Sequence, residues 1–164
     1  MSGAEKTGKT YLTKLFLKQQ QYKQYIPTLG YDIVNVTKNI DLIYREQQIQ
    51  LSLWDMQGSE QYDSIIQAYY ANAQAVILVF NCNDRKSFDK CNTYMNHVKT
   101  FCIDVQVALV GNSFSDEINR EVSYDEAVDF ASLHDTIYVE ITSQNSSYAT
   151  IDNIISKLIN MIIK

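Results

Sequence analysis

The 164-residue chain has a single proline, Pro27, five glycines and one tryptophan, Trp54. So few breakers rule out a Pro- or Gly-rich linker, and the length fits one domain over residues 1–164 with room for a proper core. Cysteine is sparse: Cys82, Cys91 and Cys102 are an odd number without CxxC spacing. Neither a disulfide framework nor a zinc site is indicated, and reduced thiols in a cytoplasmic protein are expected. Positive charge is short as well, with 14 Lys and Arg against 19 Asp and Glu and a net charge of -5. Nucleic acid is thereby excluded as the main partner, since a phosphate backbone needs a basic face. No apolar run reaches the ~20 residues of a membrane span, and the start lacks a signal peptide's apolar core. The last residues, Met161-Ile162-Ile163-Lys164, contain no cysteine to prenylate, so no C-terminal lipid anchor is expected.

What is present is concentrated near the start. Gly3-Ala4-Glu5-Lys6-Thr7-Gly8-Lys9-Thr10 fits GxxxxGK[ST], a glycine-rich turn feeding a helix. In that setting backbone N–H groups and the helix N-terminus face a polyphosphate, Lys9 neutralises the outer phosphates, and the Thr10 hydroxyl binds Mg²⁺. The motif normally follows a buried strand, whereas only Met1 and Ser2 stand before it here. Taken alone, the pattern is also compatible with a surface turn that caps a helix.

Further along, Leu12, Leu15 and Phe16 recur at helical spacing and predict a helix from Thr10 to about residue 20. Residues 22–31 form a polar loop holding Pro27, Thr28 and Gly30. Alternating apolar residues predict strands over about 33–44 and 47–54, with Arg45-Glu46-Gln47 as the turn of an antiparallel hairpin. Asp55 then falls at a strand's C-terminal end, where α/β folds place ligand groups. Residues 75–81 (AVILVFN) are continuously apolar, the mark of a strand buried on both faces. A helix over about 85–100 follows, then a strand over 105–110. Ser123 with Glu126 three residues on reads as a capping box opening a helix to about Leu133. A last strand over 136–141 precedes a closing amphipathic helix marked by Ile151, Ile154, Ile155, Leu158, Ile159 and Ile162. Strand alternating with helix gives an α/β fold with a mostly parallel sheet and one antiparallel hairpin.

The order GAEKTGKT, YIPTLGYDI, LSLWDMQGSE, AYYANAQAVILVFNCNDRKSF, VALVGN, REVSYDEAVDFA and VEITSQNS resembles the Ras-superfamily small GTPases of the Rab branch over nearly the whole length. The resemblance implies a three-layer P-loop fold, a guanine nucleotide (GTP or GDP) and Mg²⁺. It also implies a missing first strand, which in the family lies between the strand ending at Trp54 and the one ending near Asn81. Upstream residues, a strand from another chain, or closure of the gap by its neighbours could each answer that absence. An open central edge is costly and prone to association. By position, Thr28 matches the switch I threonine that responds to the γ-phosphate and Mg²⁺, Asp55 the aspartate that holds the metal, and Gly58 the glycine whose N–H meets the γ-phosphate. Thr10, Thr28 and Asp55 are thus the metal candidates. The nucleotide candidates are Gly3, Glu5, Lys6, Thr7, Gly8, Lys9, Thr10, Thr28, Gly58, Asn112, Ser115, Thr142 and Ser143.

Four departures from the family pattern bear on activity. Switch II reads Asp55-Met56-Gln57-Gly58-Ser59, so a serine too short to orient water stands at the usual glutamine position and no confident catalytic residue remains. Intrinsic turnover in this family is on the order of 10⁻⁴ per second, and slower hydrolysis is expected here. The guanine-reading NKxD becomes Asn112-Ser113-Phe114-Ser115, with Asp116 one place late. Losing a carboxylate's two hydrogen bonds would weaken binding by roughly two to three powers of ten, unless a one-residue shift brings Asp116 into place. The SAK stretch becomes Thr142-Ser143-Gln144, and Glu5 and Lys6 occupy positions that are usually small. Glu5 would repel a triphosphate at close range unless Lys6 or a metal compensates.

Two functions follow as expectations: a Rab-like G protein that binds guanine nucleotide and hydrolyses it poorly, or a pseudo-GTPase kept as a subunit of an assembly. Protein partners are expected at residues 25–34 and 56–70, and at the edge left by the missing strand.

Overall fold

The computed structural model describes residues 1–18, 31–42, 45–56, 70–113, 119–142 and 147–163. Helix α1 spans Lys9–Phe16, and strands β1 (Tyr31–Leu42) and β2 (Arg45–Met56) form a hairpin. Then come β3 (Ala75–Asn81), short α2 (Arg85–Asp89), α3 (Cys91–Phe101), β4 (Gln106–Ser113), α4 (Tyr124–Leu133), β5 (Ile137–Thr142) and α5 (Tyr148–Ile162). β1 and β2 pair antiparallel from Tyr31 opposite Met56 to Leu42 opposite Arg45. β3, β4 and β5 form a parallel sheet in that order. This is the α/β arrangement the sequence predicts.

The AVILVFN strand shows why such runs read as buried on both faces. Val76, Leu78 and Phe80 pack into one cluster with Phe88, Met95, Val98 and Ala127, so this layer is built by α2, α3 and α4. Ile77 and Val79 point the other way, into a second cluster with Leu12, Phe16, Ile151, Ile154, Ile155 and Leu158 of α1 and α5. A sheet between two helical layers is what alternate-face burial requires. Among the described residues no helix is long and apolar enough to cross a membrane.

The place of the expected first strand is taken by a two-residue stitch. Ser2 bridges Leu78 in parallel, its N–H donating to Ile77 O at 2.8 Å while Val79 N–H donates to Ser2 O at 2.8 Å. On its other side the Met1 nitrogen donates to Trp54 O, and Met56 N–H donates to Met1 O at 3.4 Å. Hairpin and parallel sheet are thus joined between the end of β2 and the middle of β3. Backbone polar groups buried there would otherwise lack partners.

Several boundaries differ from expectation. Arg45, Glu46 and Gln47 are strand residues rather than a turn, because their backbone pairs with 40–42. The helix predicted over 85–100 is two helices meeting at Lys90. Of the six periodic residues in α5, Ile162 is 37% exposed while the other five are buried. The capping box is half formed: Ser123 Oγ accepts from Glu126 N–H at 3.1 Å, but the Glu126 carboxylate turns to Arg85. A guanidinium offers a carboxylate two charge-assisted donors, more than one backbone N–H supplies.

Candidate functional site

Residues 3–8 fold into a tight loop between the stitch and α1. Gly3 has φ 136°, and a Cβ there would lie 2.1 Å from Val79 O, so only glycine lets the loop lie against β3. Gly8, at φ 98°, turns the chain into α1 as its N-cap residue. Between them Lys6 sits at φ 60°, a left-handed conformation that costs a side-chain-bearing residue roughly 1–2 kcal/mol. The loop is closed internally by Thr7 Oγ1, which donates to Ala4 O at 3.0 Å.

Lys9, on the first turn of α1, is 6% exposed, and its Nζ donates to Gly3 O at 2.9 Å and Ala4 O at 2.6 Å. Burial pushes its pKa down to about 8, with the charges of Asp55 and Glu5 pulling the other way. Asp55, at the end of β2, is 2% exposed and accepts a hydrogen bond from the Thr10 side chain. Its Oδ1 is buried with no hydrogen-bond partner. Burial raises the Asp55 pKa from its ordinary value, against the Thr10 bond and the charges of the Met1 amine and Lys9. An orphaned carboxylate oxygen beside a hydroxyl is the donor set a hard divalent cation takes. The residues present therefore fit Mg²⁺.

Asn112 closes the site from the sheet side. It is fully buried at the end of β4, and its Nδ2 donates to Thr7 O at 2.9 Å, so it props the loop from 105 residues away. Thr142 lies opposite Ser113 at the neighbouring strand end, with its side chain exposed. Glu5 and Lys6 are exposed. The structure thus brings together Gly3, Thr7, Gly8, Lys9, Thr10, Asp55 and Asn112. Thr28, Gly58, Ser59, Ser115 and Ser143 lie outside the described residues. Of the expected partner-binding stretches, Ile33 is 44% exposed opposite Trp54, whereas Met56 and Tyr70 are buried and offer no surface.

One supporting cluster had no signal in the sequence. Arg120 grips Glu140 with both Nη atoms and donates from Nε to Val122 O at 2.6 Å, while Tyr138 Oη donates to Glu140 at 2.8 Å. Behind it, a Cβ on Gly111 would meet Tyr138 Oη at 2.6 Å, so this glycine lets the cluster pack against the strand that carries Asn112. The partners are 20 residues apart, and no local spacing links them.

A glycine-rich loop between the Met1–Ser2 stitch and a helix, a buried lysine seated on it, and a Thr–Asp pair beside it define a P-loop nucleotide-binding fold of the small G protein type. The model of the Ras family matches residues 1–164. Among relatives, the Ras-related protein Rab-18 of Lymnaea stagnalis is 30% identical over 88% of this chain and 70% of its own length. The Ras-related protein Rab-18-B of Danio rerio is 31% identical, covering 87% and 68%, and the Ras-related protein SEC4 of Candida albicans is 27% identical, covering 98% and 74%. The chain belongs to the Ras family and is a Rab-like small GTPase.

Proposed function

We propose that residues 1–164 form a single G domain that binds a guanine nucleotide with Mg²⁺ and hydrolyses it slowly or not at all. The observation that carries this is buried Lys9 and Asp55 with half-buried Thr10 between them, a cation held on loop carbonyls and a carboxylate oxygen left without a donor. A phosphate chain would draw the Lys9 ammonium from Gly3 and Ala4, and the amides of residues 5–10 would receive its oxygens. Thr10 and Asp55, with Thr28, would hold the metal, which when bound supplies positive charge against the β- and γ-phosphate oxygens. Gly58 would meet the γ-phosphate. Asn112, Ser115, Thr142 and Ser143 would line the base end, and Ser59 in place of glutamine leaves no group to orient water. Partners would meet the stretches 25–34 and 56–70, inside the cell.

One observation favours a second function. Lys9 is satisfied by its own loop's carbonyls, so the loop is braced from within, as a pseudo-GTPase subunit of a protein assembly would need. Calorimetric titration with GDP in the presence and absence of Mg²⁺ separates the two. Saturable binding that weakens at least tenfold without the metal supports the nucleotide switch. No heat at any concentration up to millimolar, from protein shown to be folded and nucleotide-free, supports the scaffold.

A further inference from the structure

The hairpin places a second carboxylate beside the cradle. In the β1–β2 register Asp32 stands directly opposite Asp55, so the two side chains leave the sheet on the same face. Their neighbours show which face it is. Along β1, Val36 packs with the cluster of α1 and α5, and Lys38 reaches Asp152 of α5. Along β2, Ile49, Leu51 and Leu53 pack against the same cluster. Strand alternation therefore puts Asp32 on the α1 side, where Asp55 already meets Thr10. Ile33, the next residue, pairs with Trp54, which packs on the other helical layer.

On its own the pairing is unfavourable. Directly opposed residues have Cβ atoms about 4.5–5.5 Å apart, and like charges at that separation destabilise a hairpin. Asp32 is exposed and Asp55 is buried, yet the charge of Asp32 reaches Asp55. Lys9 and the Met1 amine also act on Asp55 through their charge, but neither donates to Oδ1, which has no hydrogen-bond partner. Two opposed carboxylates, one with a buried unmet oxygen, and a hydroxyl bonded to it form a set of hard oxygen donors that is doubly negative when ionised. A single divalent cation neutralises such a set.

We propose that Asp32 is a further member of the cation site, joining Thr10 and Asp55 so that the chain holds one divalent cation before any nucleotide binds. The proposal rests on the reading that Thr10 and Asp55 seat Mg²⁺, and extends it by making metal binding a property of the chain alone. Mg²⁺ keeps several waters and takes one or two carboxylates. The exposure of Asp32 suits contact through one of those waters.

The test is Mn²⁺ titration of the full chain freed of nucleotide, read from the electron paramagnetic resonance signal of the free ion. Wild type is compared with Asp32→Asn, Asp55→Asn and Asp129→Asn, the last making the same charge change at an exposed position of α4. One Mn²⁺ per chain is expected without nucleotide, lost in Asp55→Asn and unchanged in Asp129→Asn. Asp32→Asn should weaken it about tenfold, the effect of one charge about 5 Å from a divalent ion in a high dielectric. Thermal unfolding supplies a readout that a plain structural role would not move. In EDTA, Asp32→Asn should melt above the wild type because the opposed charge is gone, while millimolar Mn²⁺ should raise the wild type's midpoint more than the variant's. No Mn²⁺ bound without nucleotide, equal affinity in wild type and Asp32→Asn, or an equal loss in Asp129→Asn would each overturn the proposal. Titration of the same proteins with GDP and Mg²⁺ separates the two readings. GDP binding beside any of those results keeps the nucleotide site and removes Asp32 from it, whereas Asp32-dependent Mn²⁺ binding in a chain that takes up no GDP supports the cation site and removes the nucleotide.

Discussion

Replacing Lys9 with methionine should change how stability depends on pH, by an amount the structure sets. The ammonium is 6% exposed and its pKa falls from 10.5 to about 8, mainly through burial. The unfolded chain therefore holds this proton up to about pH 10.5, while the folded chain releases it near 8. Between those values the unfolded state binds more protons, so raising the pH stabilises the fold. Integrated between about pH 7 and about pH 9.5, the gain is about 2 kcal/mol. Buried Cys82, whose pKa is pushed up to about 12 by burial and Glu140, acts in the opposite direction as the pH rises, as do Cys91 and Tyr138. These groups titrate in both proteins and cancel in the difference. Methionine also leaves the Gly3 and Ala4 carbonyls without their donor, a cost that does not vary with pH. Urea denaturation of both proteins at the two pH values should therefore show the wild type gaining about 2 kcal/mol on the variant as pH rises. A constant difference would refute the claim that this cation sits in a desolvated cradle.

Three further outcomes follow from the same loop. Lys6→Gly, relieving φ 60°, should raise stability by roughly 0.5–1 kcal/mol once the greater freedom of the unfolded glycine is counted, read from the urea midpoint. Gly3→Ala should cost roughly 3 kcal/mol or more, because a Cβ 2.1 Å from Val79 O forces the loop off β3; no change in thermal midpoint would contradict the packing described. Asn112→Ala removes the prop on Thr7 O and should cost roughly 1–3 kcal/mol, with a loosened loop visible as faster amide exchange at residues 4–8.

Much of this arrangement can be read from local patterns. The alternation in 47–54, the unbroken apolar run of 75–81 and the isoleucine spacing of α5 each reflect one element's burial, and each element forms where its pattern lies. The phosphate loop is legible because Gly3 and Gly8 stand at positive φ that other residues rarely adopt. Features that depend on pairs distant in sequence are not. Nothing around Glu126 shows that its carboxylate leaves the helix start for Arg85, 41 residues away. Nor does any pattern show that Met1 and Ser2 would bridge β2 and β3. The role of Asn112 was legible in part: its place in the motif suggests base binding, while its fully buried Nδ2 is spent on the loop itself. Ile162 fits the apolar period, yet it lies beyond the last turn that α5 packs on the sheet.

The central claim is that the cradle of Lys9, Thr10 and Asp55 still holds the phosphates of a nucleotide. The most direct measurement is the nucleotide content of the natively purified protein, released by denaturation and resolved by ion-pair chromatography. Close to one guanine nucleotide per chain, lost in Lys9→Ala, is the predicted result; protein that is folded yet carries none, and takes up none when incubated with GTP and Mg²⁺, would contradict it.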